Sequence, residues 1–159
     1  EGGVVDRSRC LQSLATDYRV LPDFALNVWG DLLYGCELCQ DVCPYNAQVE
    51  RTYTCQSAES VPGLIGPFLS LETILETYCE YTVYCEYTVN CTPATRFRKL
   101  FAGTTLGASF IDPRCFVRNA LVIAGNLHAY DLAPLVSSYL SSPDEVLSAT
   151  AEWAISRLS

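Results

Sequence analysis

The chain contains no methionine and only one histidine, His128. A metal site built on a histidine pair is therefore excluded, and no second Cys-x2-Cys stands ready to complete a four-thiolate zinc site. No stretch has the uninterrupted apolar length of a membrane span, so no membrane association is expected. The opening EGGVVDRSRC has neither the charged start nor the apolar centre of a signal peptide. A chain that lacks methionine and begins in this way is expected to be the C-terminal part of something longer. Basic residues are also scarce: 10 Lys and Arg against 18 Asp and Glu give a net charge of −8, which ordinarily argues against nucleic acid.

That charge is unevenly placed. Residues 1–95 carry 4 basic and 13 acidic side chains. Residues 96–118 carry Arg96, Arg98, Lys99, Arg114 and Arg118 against Asp112 alone. One short stretch can therefore face a polyanion although the whole chain cannot.

What the chain has in excess is cysteine, nine in 159 residues. The odd number and the missing export signal argue against a disulfide framework. Cys36, Cys39 and Cys43 fall in YGCELCQDVCPYN, with Pro44 after the last. Thiolates clustered at this spacing suit convergence on a metal in a reducing, cytoplasmic setting. The iron–sulfur run is Cys-x2-Cys-x2-Cys-x3-Cys-Pro, whose last cysteine ligates the other cluster of a pair. The chain reproduces its final three cysteines and proline, but Leu33 stands where the leading cysteine belongs. Cys10, in RSRC, is the candidate replacement. Zinc with Cys10 or Cys55 as fourth ligand is the competing assignment, and His128 suits a surface or capping role better than ligation.

Up to about residue 60 the chain is rich in cysteine, aspartate and turn residues. LPDFALNVWGD predicts a short helix after Pro22, closed by Gly30. VPGLIGP, residues 61–67, marks a boundary with two prolines and two glycines. Beyond it the pattern turns helical. Asp112 and Pro113 read as N-cap and first position of a helix stopped by Gly125, with Phe116, Val117, Ala120, Leu121 and Ala124 on its buried face. DLAPLVSSYL predicts a second helix with Pro134 in its first turn. A capping box of Ser142 and Glu145, with Pro143 at the first position, predicts a third, striped by Leu147, Ala151, Ala154, Ile155 and Leu158. Stacked short helices of this kind describe a helical-repeat module. The tandem hexamers EYTVYC and EYTVNC at 80–91 read as a local duplication. Their composition favours a strand, whereas LETILETY before them favours a helix.

RSRCLQSL, LLYGCELCQDVCPYN, FRKLFAGTTL and FVRNALVIAGNL, in that order, resemble the C-terminal portion of epoxyqueuosine reductase, a cobalamin- and iron–sulfur-dependent family acting on the tRNA wobble position. The resemblance implies a mainly α chain: residues 1–60 as the C-terminal half of a ferredoxin-like module, and 61–159 as HEAT-like repeats carrying the 80–91 insertion. It implies two [4Fe-4S] clusters shared with an upstream cysteine run. Cys10, Cys36 and Cys39 would help hold one, and Cys43 would complete the other. Cys55, Cys79, Cys85, Cys91 and Cys115 match no ligand position. Cobalamin and the catalytic acid would belong to an N-terminal domain outside this chain, leaving the isolated part inactive. Arg96, Arg98, Lys99, Arg114 and Arg118 are the candidate contacts to the tRNA anticodon stem-loop. A monomer is expected, with the electron donor open. Two other functions compete: a ferredoxin-type module serving another reductase, and a zinc-stabilised helical adaptor for protein partners.

Overall fold

A computed structural model describes residues 6–46, 69–79 and 92–159. Among these, every regular element is helical and no strand occurs. The eight α-helices are α1 (Leu11–Thr16), α2 (Asp23–Val28), α3 (Leu38–Asp41), α4 (Leu71–Tyr78), α5 (Pro93–Leu100), α6 (Pro113–Asn126), α7 (Ala133–Ser138) and α8 (Glu145–Leu158). The 61–67 boundary, the 80–91 hexamers, Cys55, Cys85 and Cys91 lie outside the described residues. None of the described helices is long and apolar enough to cross a membrane.

Short polar side chains start these helices. Ser70 caps α4 by accepting from the Thr73 amide, and Thr92 caps α5 by accepting from Thr95, with Pro93 at the first turn. Asp112 caps α6 as expected, its carboxylate accepting from the Arg114 amide at 3.0 Å. The box expected at Ser142 is displaced. α8 begins at Glu145 and Asp144 is its N-cap, accepting from Val146 and Leu147. Ser142 instead accepts from the Asp144 amide at 3.2 Å, so Pro143 lies before the helix. Asp and Ser cap equally well, and the tertiary partners of Asp144 decide between them.

The stripe expected on α6 is buried: Phe116, Val117, Ala120, Leu121 and Ala124 enter a core with Ile74, Leu75, Phe97, Val136, Leu147 and Ala151. Phe97 and Phe116 stack there with ring centroids 6.0 Å apart. The opposite side of α6 is buried too. Val122 and Ile123 join Leu11, Leu14, Ala15, Leu21, Ala25, Leu26 and Trp29 in a second core. α6 is thus a wall shared by two cores, apolar on both sides as a fully buried helix must be.

Gly125 does not stop α6, which runs to Asn126. The glycine permits close crossing by α8: a Cβ at Gly125 would lie 2.7 Å from Cζ3 of Trp153 and 3.1 Å from Cα of Ala154. Gly125→Ala is therefore expected to destabilise the chain by about 1–2 kcal/mol despite its better helix propensity, seen as a lower urea midpoint. The left-handed position past the helix end falls on His128, φ +51°. Its amide donates to Gly125 and that of Ala129 donates to Ala124, the paired bonds of a Schellman closure. The ring adds a second cap, with Nδ1 2.9 Å from the Arg157 carbonyl oxygen at the end of α8. The lone histidine fastens two helix ends.

Candidate metal centre

Cys10 is the N-cap residue of α1, half-buried, with extended backbone. Cys36 follows Gly35, which turns the chain at φ +88°. Cys39 is exposed on α3, and Cys43 lies two residues beyond that helix, half-buried. All four are free thiols.

One side chain ties the two segments together. Gln12, in the first turn of α1, accepts from the Gly35 amide at 2.8 Å and from the Cys36 amide at 3.1 Å through the same Oε1. The loop bearing Cys36 is thereby pinned to the helix that Cys10 starts. Leu11 and Cys36 also line one open groove of about 560 Å³ with Trp29, Leu33, Tyr34, Leu38 and Asp41. Glutamine at position 12 carries no sequence signal for this role, because its partners are 23 and 24 residues away.

α6 supports the arrangement from below. Asn119, fully buried, donates through Nδ2 to the carbonyls of Ala15 and Leu33, three residues before Cys36. Asn126 donates to the Leu26 carbonyl at 3.1 Å. Trp29, 2% exposed, packs beneath and gives its indole N–H to the Leu32 carbonyl at 2.6 Å.

Four free thiols without a competing disulfide are the donor chemistry an iron–sulfur cluster takes. In that chemical sense the residues fit. Among the described residues, however, no three metal-ligating side chains converge on one point. Among the described residues the four thiols do not close a site.

The five basic candidates part ways. Lys99 is exposed at the last turn of α5. Arg96 donates to the Cys79 carbonyl at 3.0 Å and Arg98 reaches the Ile111 carbonyl at 3.5 Å. Arg114 forms ion pairs with Asp112 at 2.7 Å and Asp144 at 3.0 Å, and lies over the Tyr18 ring at 4.1 Å. Arg118 has no exposed surface at all and gives its donors to protein oxygens. It cannot meet an RNA phosphate in this structure, and its place on the second buried side of α6 is the reason. Cys79 and Cys115 are buried, and burial raises the Cys115 thiol above its ordinary pKa, which suits an inert apolar residue.

No family model matches the chain. The sequence is 25% identical to an epoxyqueuosine reductase of Bacillus cereus over 99% of the chain and 37% of that protein. It is 38% identical to the Aliivibrio fischeri enzyme over a shorter stretch, 33% of the chain and 14% of the relative. The structure of epoxyqueuosine reductase from Bacillus subtilis matches with a TM-score of 0.68 at 24% identity, over 98% of this chain and 37% of that one. An epoxyqueuosine reductase crystallised with an epoxyqueuosine-modified tRNA-Tyr stem loop matches with the same TM-score at 23% identity, over 98% and 36% of the respective chains. The chain is homologous to epoxyqueuosine reductase over nearly its whole length and spans about 37% of those proteins.

Proposed function

We propose, from its homology to epoxyqueuosine reductase, that this chain is the C-terminal part of a cobalamin- and iron–sulfur-dependent enzyme reducing epoxyqueuosine to queuosine at the tRNA wobble position. Residues 1–60 form half of a ferredoxin-like module and 61–159 a HEAT-like repeat. The observation that carries the reading is the Cys-x2-Cys-x3-Cys-Pro run pinned through Gln12 to the helix that Cys10 begins. It joins the two segments that must contribute ligands together.

Cys10, Cys36 and Cys39 would donate thiolates to one [4Fe-4S] cluster and Cys43 to a second, each set completed by cysteines elsewhere in the protein. The clusters and cobalamin supply the electron chemistry when bound. This chain's own contribution is to supply four thiolates, of which that of Cys36 packs against the core that holds Leu11 and Trp29. Arg96, Arg98, Lys99 and Arg114 would meet RNA phosphates, which position a stem-loop without reading its sequence. The tRNA-bound relative of the same fold supports that partner.

Anaerobic iron–sulfide reconstitution of the full-length gene product tests the reading, with visible absorption and iron content as readouts. The wild type is expected to gain a broad brown charge-transfer band, and Cys36→Ser to lose about half the iron, one cluster of two. Colourless protein carrying zinc instead would overturn the electron-transfer role and favour the helical adaptor.

A further inference from the structure

The geometry points to Gln12 as a positioning residue for the cluster ligand Cys36, an assignment that rests on the iron–sulfur reading above. Gln12 belongs to α1, two residues after Cys10, and Oε1 is the atom that reaches across to the cysteine loop. It accepts two consecutive amides, Gly35 at 2.8 Å and Cys36 at 3.1 Å. Gly35 at φ +88° makes this possible by turning both N–H groups to the same side.

Two consequences follow from chemistry. First, Cys36 is followed by exposed residues through Val42, so the backbone at Cys36 is held mainly from its N-terminal side. A double hydrogen bond from a helix fixes the backbone from which the Cys36 side chain departs. Groups just outside a metal's ligand set hold those ligands in orientation, and losing one typically weakens metal binding 10- to 100-fold. Second, amides near a cluster ordinarily donate to its sulfurs and set its potential. Gln12 takes up two such amides and so withholds them from the sulfur of Cys36.

The residue also couples the two ligand segments. Cys10 and Gln12 share the first turn of α1, so a shift of that helix moves the Cys10 backbone and the Cys36 backbone together. Asn119 holds the far end of the same loop through the Leu33 carbonyl at 2.9 Å. The loop is thus gripped on both sides of Gly35.

The test uses the full-length gene product, reconstituted anaerobically as wild type, Gln12→Ala and Gln12→Glu. Gln12→Ala is expected to lose iron to a chelator about tenfold faster than wild type while its thermal midpoint is unchanged. Gln12→Glu keeps an acceptor for both amides, so it should hold iron like wild type, and its added charge should lower the midpoint potential of one cluster. Wild-type retention of iron by Gln12→Ala would overturn the assignment, and so would rapid iron loss from both variants, because the acceptor would then not be the cause. Wild-type protein that takes up no iron would sink the cluster reading itself.

Discussion

Arg118→Ala should destabilise the chain by about 3–5 kcal/mol, the cost of breaking a buried charged network. The guanidinium has no exposed surface and spends its donors on the protein interior. Nη1 reaches the Asp17 and Arg19 carbonyls at 2.7 and 2.9 Å, and Nη2 reaches the Leu14 carbonyl at 2.7 Å. Nε and Nη2 both donate to Asn119 Oδ1. Three carbonyls at and just past the end of α1 are satisfied by this one side chain, and truncation would leave that of Leu14 buried without this donor. Burial pushes the Arg118 pKa down to about 10, which still leaves it charged at neutral pH. Lysine keeps the charge but lacks the planar fork, so Arg118→Lys should recover little of the loss. Urea unfolding of the three proteins checks this. A midpoint for Arg118→Ala close to wild type would show that water replaces the guanidinium without strain.

Asp144→Ala should cost about 2–3 kcal/mol, more than an ordinary helix cap, because the carboxylate also ties α8 to two other elements. It accepts from the amides of Val146 and Leu147, from the Tyr18 hydroxyl at 2.5 Å and from Arg114 at 3.0 Å. Tyr18 follows α1, and Arg114 opens α6. The side chain is 20% exposed, so screening by water is limited. Burial would raise the carboxyl pKa, but the hydrogen bonds from Tyr18, Arg114 and the helix amides outweigh it and hold the group below the ordinary carboxylate range. Asp112 is held low in the same direction, against burial, by Arg114.

The sign of the pH dependence follows. A carboxylate with a depressed folded pKa stabilises the fold above its unfolded value near 4, and that stability drains away as pH falls toward the folded value. Thermal midpoints should therefore drop below about pH 5. Asp144→Asn should start from a lower midpoint and show a shallower acid limb, with remaining slope from Asp112 and Asp6, which are also held low. An acid limb as steep as wild type would remove Asp144 from the linkage.

Much of the helical half was legible in the sequence. Asp112–Pro113, the buried stripe of α6 and the Pro134 turn of α7 all stand where capping chemistry and 3.6-residue spacing put them. α8 was legible in its stripe but not in its start, since Ser142 and Asp144 both satisfy the local rule and only the distant Tyr18 and Arg114 separate them. α1 and α3, of 6 and 4 residues, are too short to carry a period. The second buried side of α6 was hidden for a different reason. Arg118, Asn119 and Asn126 make it look solvated, and their partners are backbone carbonyls about 100 residues away, which no local pattern reveals. For the same reason Arg118 looked like a nucleic-acid contact. Among the candidate ligands, the spacing of Cys36, Cys39 and Cys43 was plain, whereas the link from Cys10 to Cys36 depends on Gln12 and emerges only in three dimensions.

The wall formed by α6 has a consequence for how such a chain can be taken apart. The segment that bears Cys10 and Cys36 fills its interior with Val122 and Ile123, side chains borrowed from far downstream. Cut out and grafted onto another scaffold, that segment would bring its thiols but leave its foundation behind. Anyone seeking a minimal cysteine-bearing unit from this chain must carry residues 113–126 along with it.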